Sequence, residues 1–186
     1  MSRVIALLLS AAFAVTLALP AQADELMARF SGEWVGTGQL LFGPQYGTEF
    51  QCELKGDPNE SRLNFNMSGR CWIGILSAPV YARLRYNADT KEYYGEFLDG
   101  AEGSGVNMVG TQAGHGISLK LVRGRLQGRL TAETVTADQM KVMMFYRDIE
   151  HNRELPVVAM GFARKGTGGL PDYLPSFVTG STTPRN

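Results

Sequence analysis

From Glu33 onward, apolar and polar residues alternate in short runs, and turn-forming residues interrupt those runs at nearly regular intervals. A period of two is the mark of a strand with one buried face, so this pattern constrains the fold more than any other feature of the chain. Ten such runs occur, at residues 33–42, 48–55, 62–68, 80–86, 92–98, 104–111, 117–122, 125–134, 139–147 and 156–165. The breaks between them carry turn chemistry: Asp57-Pro58-Asn59, Asn87-Ala88-Asp89, Asp99-Gly100-Ala101-Glu102-Gly103, Gly114-His115-Gly116 and Gly124. Residues 24–31 precede the first strand, and there Leu26, Met27 and Phe30 recur at helical spacing before Gly32 ends the turn.

Consecutive strands joined by hairpin-length links form a meander, and a long meander must deal with two unpaired edges. Closing on itself removes both, so the expected fold is all-β: an antiparallel up-and-down β-barrel of about ten strands with a short N-terminal helix. A two-sheet sandwich is the other solution. A membrane barrel is disfavoured because Arg83, Arg85 and Lys141 stand in mid-strand. A closed barrel of this size can enclose a small ligand.

The first 23 residues read as a cleavable secretory signal: Arg3, an apolar stretch to Leu19, then Pro20-Ala21-Gln22-Ala23 as an A-x-A site. The expected organisation is a signal at 1–23, a barrel domain at 24–165 and a loose Gly-, Pro-, Ser- and Thr-rich tail at 166–186. Cleavage near Ala23 would leave a periplasmic or secreted protein with no stable membrane anchor. In that setting the chain's two cysteines, Cys52 and Cys71, read as a structural disulfide. Eighteen Lys and Arg balance eighteen Asp and Glu, which gives no electrostatic basis for a nucleic-acid partner.

The stretch Phe30-Ser31-Gly32-Glu33-Trp34-Val35-Gly36-Thr37-Gly38 joins a helix end to G-x-W-x-G-x-G. It resembles the opening of calycin barrels, both lipocalin-like and nitrobindin-like. That resemblance implies a barrel with Trp34 as a structural plug across its bottom, against the preceding helix, and a habit of binding small apolar molecules. No cofactor is expected. Nitrobindin-type proteins hold haem through a histidine, and of His115 and His151 the second is better placed along the chain for that role, although its polar surroundings do not suit a haem pocket. A second resemblance, to small lipocalin-like periplasmic protease inhibitors, rests on the order Trp34, Cys52, Cys71. It implies that the mature N-terminus around Asp24-Glu25-Leu26 inserts into the cleft of an exported protease.

No residue constellation carries catalysis. Neither histidine looks buried, Asp99 and Glu102 read as a solvated turn rather than a calcium loop, and no glycine-rich loop opens a helix. The expectation is therefore a protein that is not an enzyme and holds no metal. Arg83 and Arg85 share one strand face, as do Arg125, Gln127 and Arg129; placing Leu84, Tyr86, Leu126 and Leu130 inside sets those arginines outside. Met140, Val142, Met144 and Tyr146 share a face of the ninth strand, Met143 and Phe145 the other, with Met160 and Phe162 on the tenth. Packing against the helix and a methionine-lined pocket or partner surface are the two accounts of this cluster. The expected ligand pocket is lined by Phe50, Phe65, Leu84, Tyr86, Phe97, Met108, Leu119 and Met144, and the expected function is binding of a small, largely apolar molecule.

Overall fold

The computed structural model describes residues 21–58, 63–98 and 105–167. Most of the expected signal, most of the expected tail and the 99–103 turn with Asp99 and Glu102 lie outside them. One helix, α1 (Ala21–Phe30), precedes ten strands: β1 (Gly32–Leu40), β2 (Glu49–Pro58), β3 (Asn64–Ile73), β4 (Leu76–Asn87), β5 (Glu92–Leu98), β6 (Val106–Ala113), β7 (Gly116–Arg123), β8 (Leu126–Thr136), β9 (Gln139–Asp148) and β10 (Arg153–Arg164). Every neighbour in sequence is a neighbour in space. β1 also pairs with β10 in antiparallel register, from Trp34↔Arg164 to Leu40↔Val158, so the barrel closes without an edge.

Alternation decides which residues point inward. Along β2, Phe50 and Cys52 are buried while Glu49, Gln51, Glu53 and Lys55 are exposed. The outer face also carries the exposed Arg83, Arg85 and Lys120. An apolar inside and a charged outside are the reverse of a membrane-spanning barrel. No helix among the described residues is long and apolar enough to cross a membrane.

The opening motif has a physical reading in this fold. Gly32 sits at φ 94°, the left-handed conformation that ends α1 and turns the chain into β1. Trp34, Gly36 and Gly38 share the inner face of β1 and are all buried. A Cβ at Gly36 would run into the Phe162 ring, and one at Gly38 into the Phe50 ring and the Met160 side chain. The glycines thus leave room for large side chains from both neighbouring strands to lie across β1.

The helix closes one end of the barrel. Leu26, Met27 and Phe30 are buried, and the Trp34 Nε1–H donates to the Phe30 carbonyl at 3.0 Å. Arg164 at the end of β10 completes this plug. Its guanidinium lies 4.4 Å over the Trp34 ring and donates to the Ser31 carbonyl at 2.6 Å and to Ala137 at 3.0 Å. Trp34 is fully buried, the structural role expected of it.

The disulfide joins Cys52 and Cys71, which are direct cross-strand partners on β2 and β3 with Cα atoms 4.1 Å apart. The longest departure from the sequence reading is here. Residues 69–79 held no expected strand, yet β3 and β4 run through them to a tight hairpin at Gly74-Ile75. Gly69 and Pro79 are residue types that strand interiors disfavour. In the barrel, however, a Cβ at Gly69 would strike the Glu53 carbonyl and Leu54, so its bare Cα is what lets β2 lie close.

Candidate functional site

The inner faces do not meet in the middle. They enclose a cavity of about 360 Å³ whose wall is aliphatic, aromatic, thioether or disulfide throughout. That volume lies near the small end of the range for small-molecule sites. α1 contributes Met27 and Phe30 to its floor. Phe65, Leu84, Met108, Ile117, Leu119, Met140 and Phe162 are buried there, whereas Val80, Phe97, Leu130, Met144 and Val158 are half-buried, as are Leu54 and Met67 nearer the helix.

Seven of the eight residues expected to line a pocket do so: Phe50, Phe65, Leu84, Phe97, Met108, Leu119 and Met144. Tyr86 does not. It has the right parity but stands at the helix end of β4, where its ring packs 4.9 Å from that of Tyr93. Six methionines are on the wall: Met27, Met67, Met108, Met140, Met144 and Met160. Met160 and Phe162, grouped by the sequence reading with Met143 and Phe145, instead face inward with Met140, Val142 and Met144. Of the two accounts of the cluster, these side chains fit the methionine-lined pocket. Thioether side chains are flexible and polarisable, so such a wall can mould itself to a ligand's shape.

Sequence reasoning missed Met67, Val80, Ala82, Ala132, Met140, Val142 and Val158 as lining residues. For Met67, Val80, Ala82, Met140 and Val142 the signal was available, because each shares strand parity with a chosen neighbour; β8 and β10 held no chosen residue that could lead to Ala132 and Val158. Leu126, expected inside, is 60% exposed. It too has inward parity but lies at the open end of β8, beyond the wall.

The arginines are outside. Arg83 reaches the Tyr81 hydroxyl. Arg129 lies 4.2 Å over the Phe145 ring and grips Glu154 with two nitrogens. The Glu154 carboxyl is thereby held below its usual range, chiefly by the hydrogen bonds from Arg129. His151 is exposed in the β9–β10 turn, with Nδ1 2.9 Å from Asp148. That contact, with Arg153 beside it, keeps the Asp148 carboxyl below its usual range. His115 is exposed in the β6–β7 turn, where its carbonyl accepts from Thr134. Neither imidazole reaches the cavity, so the haem ligand suggested by His151 does not fit this site. Among the described residues no three His, Cys, Asp or Glu side chains gather to hold a metal.

One polar group is buried beside the core without a partner. The Tyr93 hydroxyl makes no hydrogen bond, and burial, with the nearby Tyr86 as a lesser cause, pushes its pKa up to about 12.

The two ends of the barrel differ in their surfaces. In an up-and-down barrel the β1–β2, β3–β4, β5–β6, β7–β8 and β9–β10 links all lie at the end away from the helix, and most of the β5–β6 link lies outside the described residues. There Phe42 and Tyr46 are exposed in the first link, and Ile75 in the second, with Ile73 and Leu76 at the strand ends beside it. Leu126 follows at the start of β8, and Ile149 in the β9–β10 link with Tyr146 near the end of β9. At the helix end the exposed large hydrophobics among the described residues are Leu63 in the β2–β3 link, Tyr94 near the start of β5 and Val135 near the end of β8.

Known folds resemble this one at low sequence identity. The S-type phycobiliprotein lyase CPES from Guillardia theta superposes with a TM-score of 0.55 at 12% identity, over 78% of this chain and 93% of that one. Rv2717c from M. tuberculosis superposes with a TM-score of 0.58 at 14% identity, over 77% and 97%. No protein-family model matches the sequence, and no curated protein does. At these identities the likeness is one of fold. The first neighbour overturns the expectation that this chain is not an enzyme: a barrel of the same shape bears the name of a lyase, so an apolar barrel without an obvious triad does not stand for a non-enzyme.

Proposed function

We propose that this chain is an exported calycin-type barrel protein that holds one small, neutral, largely apolar molecule in its cavity. The observation that carries this reading is the wall itself: a cavity of about 360 Å³ with no ionisable side chain on it. A charged ligand would be desolvated there with nothing to pair it, at a cost of several kcal/mol. A neutral apolar molecule instead gains free energy when its surface leaves water for such a wall. Phe50, Phe65, Leu84, Phe97, Met108, Leu119 and Met144 are the contacts, with the other methionines adapting the wall to ligand shape. The Cys52–Cys71 bridge suits an oxidising compartment, which supports export after cleavage near Ala23.

The protease-inhibitor reading draws less support. Its inserting segment includes Leu26, which is 1% exposed and packed into the barrel floor. Inserting it elsewhere would mean pulling it out of the core.

Native mass spectrometry of the protein purified from its own host tests the proposal. Extra mass that leaves on denaturation gives the ligand's size. A bare chain, from the host and again after exposure to a lipophilic extract of that host, removes the reading.

A further inference from the structure

We infer that the cavity selects an uncharged aromatic molecule of a few fused rings over a saturated molecule of the same size. This rests on the ligand reading given above and names the class of the ligand.

The chain has eight methionines. Apart from Met1 and Met143, every one lines the cavity: Met27, Met67, Met108, Met140, Met144 and Met160. Leucine supplies nearly the same apolar volume at a smaller cost in side-chain entropy. What the thioether adds is a polarisable sulfur, which attracts an aromatic ring, often at its edge, from about 5 Å.

These side chains are not gathered in one stripe. Met140 and Met144 on β9 form a group with Met160 on β10, which pairs with Val142, the inward residue between them. Met67 on β3 and Met108 on β6 flank β4 and β5, and those two strands lie across the barrel from β9 and β10 in the closed strand order. Met27 comes from α1 at the floor. The wall is cut short at Ala82 on β4 and Ala132 on β8. A flat ring system in the cavity therefore meets thioethers from both sides.

The wall shows the same pairing within itself. Phe50 from β2 and Met160 from β10 reach over the bare Cα of Gly38, where a Cβ would touch both. Phe65, Phe97 and Phe162 are further ring partners on the wall, and aromatic pairs attract beyond their buried area. No side chain on the wall offers a conventional hydrogen bond, so shape and polarisability are left to discriminate. A saturated guest recovers the transfer free energy alone. An aromatic guest adds the ring contacts, and two thioether–ring contacts of middling strength amount to about a tenfold difference in affinity.

The test is displacement of Nile red from the protein by naphthalene and by trans-decalin, which share one carbon skeleton. Each midpoint is referred to that compound's own partition from water into hexadecane, so that plain hydrophobicity cancels. Wild type should favour naphthalene by about tenfold on that scale. Met67→Leu combined with Met160→Leu takes one sulfur from each side and keeps the apolar volume. The double variant should lose at least about threefold of the preference and hold decalin within about twofold of wild type. A wild type that takes both compounds in proportion to their partition overturns the inference, and no variant is needed to see it. So does a folded double variant with the full preference, since the sulfurs would then not be its source. Nile red that finds no saturable site removes the ligand reading and this inference with it, whereas a site that binds the dye and ranks the two hydrocarbons alike overturns this inference and leaves that reading standing.

Discussion

The two ends of this barrel are built from the same strands and do opposite things. At the helix end, large side chains are sunk: Trp34, Leu26, Met27 and Phe30 are all under 5% exposed, and Arg164 ties strand, helix and the Ala137 turn together. At the open end, Ile75, Leu76 and Leu126 stand in solvent, and the side chains beneath them thin out into a cavity. Stability is thus concentrated at one end and the site at the other. A fold that places function where packing is sparse can vary its ligand without losing its plug.

That contrast can be broken most directly at the plug. Trp34→Ala should cost about 3–5 kcal/mol, because it deletes a fully buried ring together with its hydrogen bond and the arginine stacked on it. Denaturant unfolding of the variant measures this. Removing the bridge by Cys52→Ala with Cys71→Ala should cost about 3 kcal/mol in the chain-entropy model for a sequence separation of 19. It should also loosen the β3–β4 tip, seen as faster amide exchange through residues 70–78. Gly38→Ala sharpens the comparison from within. Its new methyl meets Phe50 and Met160 rather than backbone, so it should cost about 1–3 kcal/mol while pushing those side chains into the cavity and weakening ligand binding.

Smaller effects follow. Tyr93→Phe removes a buried hydroxyl that has no partner, so the variant should match or exceed wild-type stability by up to about 1 kcal/mol. The same group sets an alkaline limit. With a native pKa near 12 against an ordinary 10.0, the folded state keeps a proton that the unfolded chain releases. This contribution is complete below pH 10 and is lost as pH rises through about 12, so wild-type stability should fall across that window by more than that of Tyr93→Phe. The smallest effect belongs to the rim. Ile75→Ser should change stability by no more than about 0.5 kcal/mol, since the side chain is fully exposed. A large loss there would mean that the open end also holds the fold.

The sequence made the barrel readable because period-two alternation and turn residues repeat along nearly the whole chain. Residues 92–98 were read with the bounds of β5 itself, and the short helix closely matches α1. Face was legible as well: Phe50, Leu84 and Met108 could be placed inside from parity alone. Height along the barrel was not. Tyr86 and Leu126 share the inward parity of their strands, yet one falls below the cavity floor and the other above its mouth. Only the register of neighbouring strands fixes that coordinate, and register is a long-range property. The β3–β4 hairpin was missed for a related reason. Gly69 and Pro79 look like breaks until the close approach of β2 and the pairing Arg70↔Pro79 are known.

The central claim, a hollow barrel that takes one neutral apolar molecule, is tested most directly by titrating the protein with Nile red beside a variant whose cavity is filled. Wild type should bind the dye saturably at one site. Ala132→Phe should abolish that binding while keeping a cooperative unfolding transition, because a ring placed on the cavity wall occupies the ligand's space. Ala82→Phe, on the wall by way of another strand, checks that the loss is not peculiar to β8. Dye binding that is unsaturable in wild type, or unchanged in both filled variants that fold, would contradict the account.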